Sequence, residues 1–284
     1  MIEKVNRKSM KIRFSGRSSD YISPSFGFGC LYNCHYCYMK RHKPEGLTVA
    51  TNITQILSTI NTHVAFCEVE KPNQTDSDFV TYDISCNEDF ALHNKYYDWK
   101  SIFNFFKNHP KAKATFATKY VPKEFLNYNP NNKIRIRFSL MPEVLRKLVE
   151  PNTSLIIERI KAIDIFIKAG YDVHINFSPV IVYKTWLKDY EELFILVNNL
   201  VKNKDKVKCE VIFLTHNDKK HIANVDSNNK SEKILWQPSL QEYKQSQYGG
   251  RNLRYKSYLK FNYIQQFKQI HNKHIKWCII RYIF

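Results

Sequence analysis

The stretch of sequence that decides the fold is Phe26-Gly27-Phe28-Gly29-Cys30-Leu31-Tyr32-Asn33-Cys34-His35-Tyr36-Cys37-Tyr38. It contains Cys30, Cys34 and Cys37 at the spacing C-x3-C-x2-C. Three thiolates at this spacing can hold three irons of a 4Fe-4S cluster and leave the fourth iron open to an exogenous ligand. Gly27 and Gly29 allow the backbone to wrap closely around such a cluster. The stretch therefore predicts a cluster with one open iron.

A zinc site is the alternative, with His35 or His42 as the fourth ligand. Zinc sites usually come as paired C-x2-C knuckles, and no second pair follows later in this chain. The total of seven cysteines is odd, which argues against a framework of disulfides. The cysteine pattern favours the iron–sulfur cluster over zinc.

The composition is that of a folded protein with a full core. Hydrophobic residues make up 43% of the 284 positions, which argues against intrinsic disorder and fibrous repeats. No run approaches the roughly 18–20 apolar residues that span a bilayer. Residues 1–13 are polar and basic without an apolar core segment, so no secretory signal is predicted. We expect a cytoplasmic protein without a membrane partner.

The formal net charge of the chain is +18. A charge of this size favours a polyanionic partner such as nucleic acid, because Lys and Arg side chains neutralise phosphates. Compositional drift is the alternative, since 33 of the 44 basic residues are lysine. The charge alone leaves both interpretations open.

Segments with strand and helix periodicity alternate after the cysteine stretch. The predicted strands cover residues 79–85, 114–118, 134–138, 173–177 and 209–214. The predicted helices cover residues 53–64, 99–106, 155–169 and 189–201. Five or six βα units are too few for an eight-unit barrel, and they predict an α/β fold with an open or partial barrel. We expect one domain made of an irregular basic lead-in, the barrel, and a basic, aromatic C-terminal extension that packs on the barrel: residues 1–25, 26–216 and 217–284.

The C-x3-C-x2-C spacing with an aromatic residue before the last cysteine resembles the signature of the radical S-adenosylmethionine superfamily. The resemblance implies that the amino and carboxylate groups of S-adenosylmethionine chelate the open iron. It also implies a partial (β/α)6 barrel, which agrees with the independent count of βα units.

The similarity extends to one family, the spore photoproduct lyases, whose cluster motif resembles Cys34-His35-Tyr36-Cys37-Tyr38. Further segments resemble that family in the same order along the chain: Asp83-Ile84-Ser85-Cys86, Ala117-Thr118-Lys119, Arg137-Phe138-Ser139-Leu140, Glu158-Arg159-Ile160-Lys161-Ala162 with Lys168-Ala169-Gly170-Tyr171, Ser178-Pro179-Val180 with Trp186 and Tyr190, and the region of Tyr248-Gly249-Gly250-Arg251. Three departures are the absence of much of the family's N-terminal extension, Asn87-Glu88 after Cys86, where the family tends to have a small hydroxyl residue, and a reworked Gly-rich hairpin.

The resemblance implies roles for residues near the predicted strand ends and the cluster. Cys86 follows a predicted strand, and catalytic groups of βα barrels gather at the carboxyl ends of strands. Its weak S–H bond suits it to quench a carbon radical by hydrogen-atom transfer. Lys119 and Ser139 would hold the S-adenosylmethionine carboxylate by charge-assisted hydrogen bonds, and Tyr36 or Tyr38 would return the radical to the cofactor. The alternatives are a buried core cysteine, a solvated lysine, a strand serine and tyrosines that pack beside the cluster.

The C-terminal extension carries Arg251, Arg254, Tyr255 and Lys256 after the turn signal Tyr248-Gly249-Gly250. A basic, aromatic hairpin can wedge into a duplex and hold a flipped lesion. An ordinary solvated basic loop is the alternative. We predict these four residues as DNA contacts.

The resemblance as a whole implies a radical S-adenosylmethionine lyase that repairs DNA. It would revert 5-thyminyl-5,6-dihydrothymine to two thymines through a 5′-deoxyadenosyl radical, with a 4Fe-4S cluster and S-adenosylmethionine as cofactors. DNA and an electron donor such as flavodoxin or ferredoxin would be its partners. Because Glu88 would repel a phosphate and the N-terminal extension is shortened relative to the family, one alternative is a radical enzyme acting on a different nucleic-acid or peptide substrate. The other is a zinc-containing nucleic-acid-binding protein.

Overall fold

The computed structural model describes residues 1–67, 75–245 and 251–284. Within these ranges the chain forms fourteen strands: β1 (Ile2–Val5), β2 (Arg13–Phe14), β3 (Tyr21–Ile22), β4 (Gly27–Gly29), β5 (Leu47–Ala50), β6 (Val80–Asp83), β7 (Ala112–Thr118), β8 (Ile134–Ser139), β9 (Asp172–Val180), β10 (Lys208–Phe213), β11 (Thr215–His216), β12 (Gln241–Gln245), β13 (Arg251–Tyr255) and β14 (Ile279–Ile283). The same ranges contain nine α-helices: α1 (Met39–His42), α2 (Ile53–Ala65), α3 (Trp99–Asn108), α4 (Glu143–Val149), α5 (Ile156–Lys168), α6 (Trp186–Leu200), α7 (Asp218–Asp226), α8 (Glu232–Leu235) and α9 (Ser257–Ile275).

Eight strands form the central sheet in the order β14-β10-β9-β8-β7-β6-β3-β2, and every neighbouring pair except β2–β3 is parallel. Helices α3, α5 and α6 follow β6, β8 and β9, and α3 and α5 pack on the strands. The prediction of an open, parallel βα barrel is confirmed. Two three-stranded sheets flank it, β1-β5-β4 and β11-β13-β12.

The five predicted strands correspond to β6, β7, β8, β9 and β10, and the four predicted helices to α2, α3, α5 and α6. Their boundaries agree within three residues. Buried parallel strands and amphipathic helices carry clear periodicity, which explains this agreement. None of the helices in the described ranges has the length and apolar character needed to cross a bilayer.

The C-terminal extension adds a helix and a strand that the sequence analysis did not predict. Helix α9 packs on α6 through the buried side chains Phe267, His271 and Ile275, which are four residues apart. Strand β14 pairs in parallel with β10 and becomes an edge of the central sheet. The predicted turn Tyr248-Gly249-Gly250 lies outside the described residues.

The interior of the barrel is polar. Arg137 on β8 donates hydrogen bonds to Asp83 on β6 and to Glu210 on β10, both at 2.7 Å. Arg135, two residues earlier, is also buried and paired with carboxylates. The residues of β8 alternate in the order Ile–Arg–Ile–Arg–Phe. Its arginines point into the barrel, where carboxylates pair with them, because buried charges require partners. Its apolar residues point to the other face of the sheet and pack into the hydrophobic core. The Arg137 network fixes the end of β6, three residues before Cys86.

Candidate active site at the mouth of the barrel

The three motif cysteines lie in the loop between β4 and α1, against the segments that follow β6 and α4. Cys30 and Cys34 are 9% and 6% exposed, and Cys37 is half-buried. Burial raises the pKa of Cys30 to about 12 and holds the pKa of Cys34 well above its usual value. Buried thiols of this kind ionise when a metal supplies positive charge. A metal cluster bound through these cysteines would therefore have to supply the positive charge that ionises them.

His35 fastens the cysteine loop to later parts of the chain. Its N–H donates to the carbonyl of Val149 at the end of α4, and its carbonyl accepts from Nδ2 of Asn224 on α7, both at 2.9 Å. Its Nδ1 lies 3.0 Å from Oγ of Ser231. The imidazole is thus engaged with the C-terminal region, which argues against His35 as a metal ligand.

The three motif sulfurs are not gathered as closely as three ligands of one zinc ion. Around one tetrahedral zinc, Zn–S bonds of about 2.3 Å bring the sulfurs to about 3.8 Å from one another. Among the residues that the structure describes, the only three such donor atoms within 4.8 Å of one another belong to Cys209, His271 and Cys278. The motif sulfurs are therefore spread more widely. This suits a 4Fe-4S cluster, in which each thiolate binds a different iron.

The thiol of Cys86 lies against Tyr38, at the end of the cysteine loop. The Tyr38 hydroxyl donates to the Cys86 carbonyl, and its oxygen lies 3.9 Å from the Cys86 sulfur. A guanidinium nitrogen of Arg13 approaches the same sulfur to 4.0 Å. Burial, together with the charge of Asp83, raises the pKa of the Cys86 thiol. The thiol therefore keeps its hydrogen at neutral pH.

Tyr36 contacts a different partner, the buried carboxylate of Glu150. The Tyr36 hydroxyl donates to Oε1 of Glu150, and Nζ of Lys119 lies 3.9 Å from the same oxygen. Two guanidinium nitrogens of Arg159 donate to Oε2 of Glu150, each at 3.1 Å. Burial alone would lower the pKa of Lys119, but the charge of Glu150 raises it above its usual value. Glu150 thus keeps Lys119 charged and fixes Tyr36 beside it.

Ser139 ends β8 and is 1% exposed. Its hydroxyl accepts from Nδ2 of Asn176 at 3.4 Å, and its carbonyl accepts from Arg159 at 2.8 Å. Arg159 therefore bridges Ser139 to Glu150, and we call Tyr36, Lys119, Ser139, Glu150 and Arg159 the Glu150 group. Lys119 and Ser139, which were predicted to hold a carboxylate, belong to the Glu150 group. Cys86, the predicted hydrogen donor, is paired with Tyr38 of the cysteine loop instead.

Glu88 is buried beneath the cysteine loop and does not face the mouth of the barrel. Its Oε2 accepts from the Tyr97 hydroxyl at 2.6 Å and lies 2.9 Å from Nδ1 of His93. Nε2 of His93 accepts the N–H of Leu31 at 3.3 Å, so His93 carries its hydrogen on Nδ1 and donates to Glu88. A Cβ at Gly27 would collide with Glu88 and Tyr97. With its side chain 1% exposed, Glu88 cannot repel a substrate phosphate, and that expectation is wrong.

The predicted DNA contacts lie on and just after β13. Arg251 is exposed and stacks on Tyr243 of β12, with 4.0 Å between the guanidinium carbon and the ring centre. Arg254 and Lys256 are half-buried. Arg254 and Lys256 share one face of β13, and Arg251 lies on the other. We call these three cations together the β13 basic edge.

Tyr255 lies on the same face of β13 as Arg251, at the other end of the strand, and is 1% exposed. Its hydroxyl accepts the N–H of Val182 at 2.8 Å, and its ring packs against Phe213 with 6.3 Å between the centres. This position corrects the sequence-based placement of Tyr255 on a DNA-binding surface. Its aromatic ring belongs to the core because this end of β13, where Leu253 is also buried, packs on the barrel.

Several residues of the site were not predicted. Asp89 accepts from Oγ1 of Thr118 at 2.7 Å and from the N–H of Lys119 at 2.9 Å, which orients the end of β7. Asp89 and Glu150 look like solvated carboxylates in the sequence. Arg159 did carry a signal, because it stands on the apolar face of α5 among isoleucines. A basic residue in such a position requires a buried partner.

A partial parallel barrel with a C-x3-C-x2-C loop at its mouth defines the class of radical S-adenosylmethionine enzymes. The family model described as Spore photoproduct lyase matches residues 4–284. The chain belongs to the spore photoproduct lyase family.

Two relatives show how far this similarity extends in sequence. The spore photoproduct lyase of Bacillus subtilis (strain 168) is 28% identical over 192 residues, which cover 66% of this chain and 54% of that protein. The spore photoproduct lyase of Clostridium acetobutylicum is 27% identical over 230 residues, which cover 79% of this chain and 66% of that protein. The chain thus spans about half to two thirds of the length of these relatives.

Solved structures show the same fold. A spore photoproduct lyase mutant with dinucleoside spore photoproduct has a TM-score of 0.87 and 19% identity, and the match covers 100% of this chain and 82% of that chain. A double mutant with bound AdoMet and dinucleoside spore photoproduct also has a TM-score of 0.87, with 18% identity and the same coverage. The curled parallel half-barrel is therefore the fold of this family.

Proposed function

We propose that the protein is a radical S-adenosylmethionine lyase that reverts 5-thyminyl-5,6-dihydrothymine in DNA to two thymines. The observation that carries this proposal is the contact between the Cys86 thiol and Tyr38, beside the loop of three cysteines. Cleavage of the bond between the thymines leaves a carbon radical that must receive a hydrogen atom. Cys86 offers that atom at the edge of the cluster loop, and membership of the family supports the same reaction.

The proposed cofactors are a 4Fe-4S cluster on the three motif cysteines and S-adenosylmethionine. When bound, this pair supplies a 5′-deoxyadenosyl radical by one-electron cleavage of the sulfonium. Lys119 stays charged beside Glu150 and can hold the carboxylate of S-adenosylmethionine by a charge-assisted hydrogen bond. The Ser139 hydroxyl, at the end of the neighbouring strand, is proposed as a second contact.

Cys86 and Tyr38 are proposed to carry the hydrogen-atom transfers. The S–H bond of Cys86 breaks as a C–H bond forms on the thymine radical, and the unpaired electron passes to sulfur. The Tyr38 hydroxyl, 3.9 Å from that sulfur, can return a hydrogen atom to it and keep the unpaired electron on its ring. Tyr36 is bound to Glu150 instead, which supports a positioning role for it beside Lys119.

The proposed partners are DNA and a small electron carrier such as a flavodoxin or ferredoxin, in the cytoplasm. The lesion must leave the base stack to reach Cys86, at a cost of roughly a few kcal/mol that damage reduces. The β13 basic edge supplies positive charge for the phosphates that flank the flipped bases.

The argument for a different substrate that rested on Glu88 loses its support, because this carboxylate is buried under the cysteine loop. A zinc-containing nucleic-acid-binding protein conflicts with the family membership.

The proposed function predicts that the protein converts a dinucleoside spore photoproduct to thymidine. The protein, with its cluster reconstituted anaerobically, is incubated with S-adenosylmethionine, dithionite and a dinucleoside spore photoproduct, and the products are separated by chromatography. We expect thymidine and 5′-deoxyadenosine, and neither product without S-adenosylmethionine. Formation of 5′-deoxyadenosine without thymidine would refute the substrate assignment but leave the radical chemistry standing.

The β13 basic edge predicts a salt-dependent contribution to DNA binding. Replacing Arg251 and Arg254 by alanine should lower the slope of log K against log salt by about 2 in magnitude, because two phosphate contacts are lost. Binding to a lesion-containing duplex is measured by fluorescence anisotropy over a series of salt concentrations. The matched control replaces Lys161 and Lys188, two exposed lysines on α5 and α6, and should leave the slope unchanged. Equal slopes for both double variants would remove the β13 basic edge from the interface.

A further inference from the structure

A second group of metal-binding side chains lies outside the cysteine loop. Cys209, His271 and Cys278 bring three donor atoms within 4.8 Å of one another. Cys209 is near the start of β10, His271 is in the last part of α9, and Cys278 lies between α9 and β14. The three residues are 0%, 2% and 0% exposed. The group therefore sits at the amino-terminal side of the sheet, whereas Cys86 follows a carboxyl end.

The measured distances in this group match those around a tetrahedral zinc ion. Sγ of Cys209 lies 3.7 Å from Nε2 of His271. Zn–S bonds of about 2.3 Å and Zn–N bonds of about 2.0 Å at the tetrahedral angle place sulfur and nitrogen about 3.6 Å apart. The sulfur also lies 3.6 Å from the carbonyl oxygen of Cys278, which can supply a fourth ligand. The donors are thus already spaced for one ion.

The surroundings of His271 orient it toward the two sulfurs. Its ring lies between Phe194 and Phe267, with centres 5.8 and 6.4 Å away. Its Nδ1 lies 3.5 Å from Oδ1 of Asn272. A metal-bound histidine commonly directs its other ring nitrogen to an oxygen acceptor, which fixes the ring and the tautomer. This arrangement leaves Nε2 facing Cys209 as the donor atom.

We propose that Cys209, His271 and Cys278 form a structural zinc site at the base of the barrel. Two thiolates and one imidazole are a ligand set that zinc favours over harder cations such as Mg²⁺ and Ca²⁺. The ion would tie α9 and the start of β14 to β10. Because β13 leads directly into α9, the site would also hold the β13 basic edge in a fixed position relative to the barrel.

The test measures zinc in a variant that cannot hold the cluster. The full chain with Cys30→Ala, Cys34→Ala and Cys37→Ala is purified without chelators, and its metal content is determined by mass spectrometry. We expect about one zinc per chain and, on replacing zinc by Co²⁺, the visible bands of tetrahedral cobalt with thiolate ligands. Removal of the zinc should lower the Tm by about 5 °C.

Substitutions on α9 then test whether His271 is a zinc ligand. Both substitutions are introduced into the variant that lacks the three motif cysteines. There, His271→Ala should lower the zinc content at least about tenfold. His271→Cys should retain the zinc, because a thiolate can replace the imidazole. The control is His274→Ala, on the same helix but paired with Glu191 at the surface, and it should retain the zinc. A zinc-free background variant, zinc that survives His271→Ala, or a Cys209–Cys278 disulfide in its place would overturn the proposal. The readout is metal content, so it is independent of the proposed activity.

Discussion

Replacing Cys34 by alanine is expected to abolish cleavage of S-adenosylmethionine. Cys34 lies in the middle of the cysteine loop and is 6% exposed, so its loss removes one of three thiolates from a buried site. Two thiolates do not retain a cluster with one open iron. We expect the rate of 5′-deoxyadenosine formation to fall by at least about 1,000-fold, because the cofactor carries this chemistry. The rate is measured by chromatography under anaerobic reduction.

The variant Cys67→Ala controls for the effect of removing a cysteine that lies elsewhere in the protein. Cys67 is partly buried and contacts Tyr21, away from the cysteine loop, so Cys67→Ala should keep both the iron content and the cleavage rate. Circular dichroism checks that Cys34→Ala retains the fold. Normal cleavage by a folded, iron-free Cys34→Ala protein would disprove the assignment of the cluster ligands.

The second large effect is expected for Cys86→Ala, because this variant separates the cleavage of S-adenosylmethionine from the restoration of thymidine. Cys86→Ala removes the proposed hydrogen donor but leaves the cysteine loop and the Glu150 group intact. We expect cleavage of S-adenosylmethionine to continue within about twofold, while restored thymidine falls at least about tenfold and other lesion-derived products appear. The ratio of thymidine to 5′-deoxyadenosine in one chromatogram measures this. An unchanged ratio would remove Cys86 from the mechanism.

The variant Tyr38→Phe separates hydrogen donation by Cys86 from return of the radical to the cofactor in the same assay. In Tyr38→Phe the Cys86 thiol remains, so the first turnover should still give thymidine. Later turnovers should consume more S-adenosylmethionine per thymidine, because the hydroxyl 3.9 Å from the sulfur is gone. Tyr36→Phe is the matched control, since its hydroxyl contacts Glu150 and should affect cofactor binding instead. Equal stoichiometry in both variants would argue against a relay through Tyr38.

The sequence predicted those parts of the molecule whose signals are local. Strands β6 to β10 are buried runs with clear ends. The assignment of Cys30, Cys34 and Cys37 as cluster ligands stays a prediction from their spacing. Helix α9 was missed because its buried face is narrow and consists of Phe267, His271 and Ile275. Pairings between distant segments carry no local signal, so the Glu150 group and the burial of Glu88 emerged only from the fold.

The anchoring of His35 sets an order for the folding of the chain during its synthesis. The cysteine loop is fastened by Asn224 and Ser231, which are translated nearly two hundred residues after it. A nascent chain that has emerged only as far as β10 has all three cysteines but lacks these anchors. The cysteine loop therefore reaches its final conformation only after α7 and the residues that follow it have been synthesised.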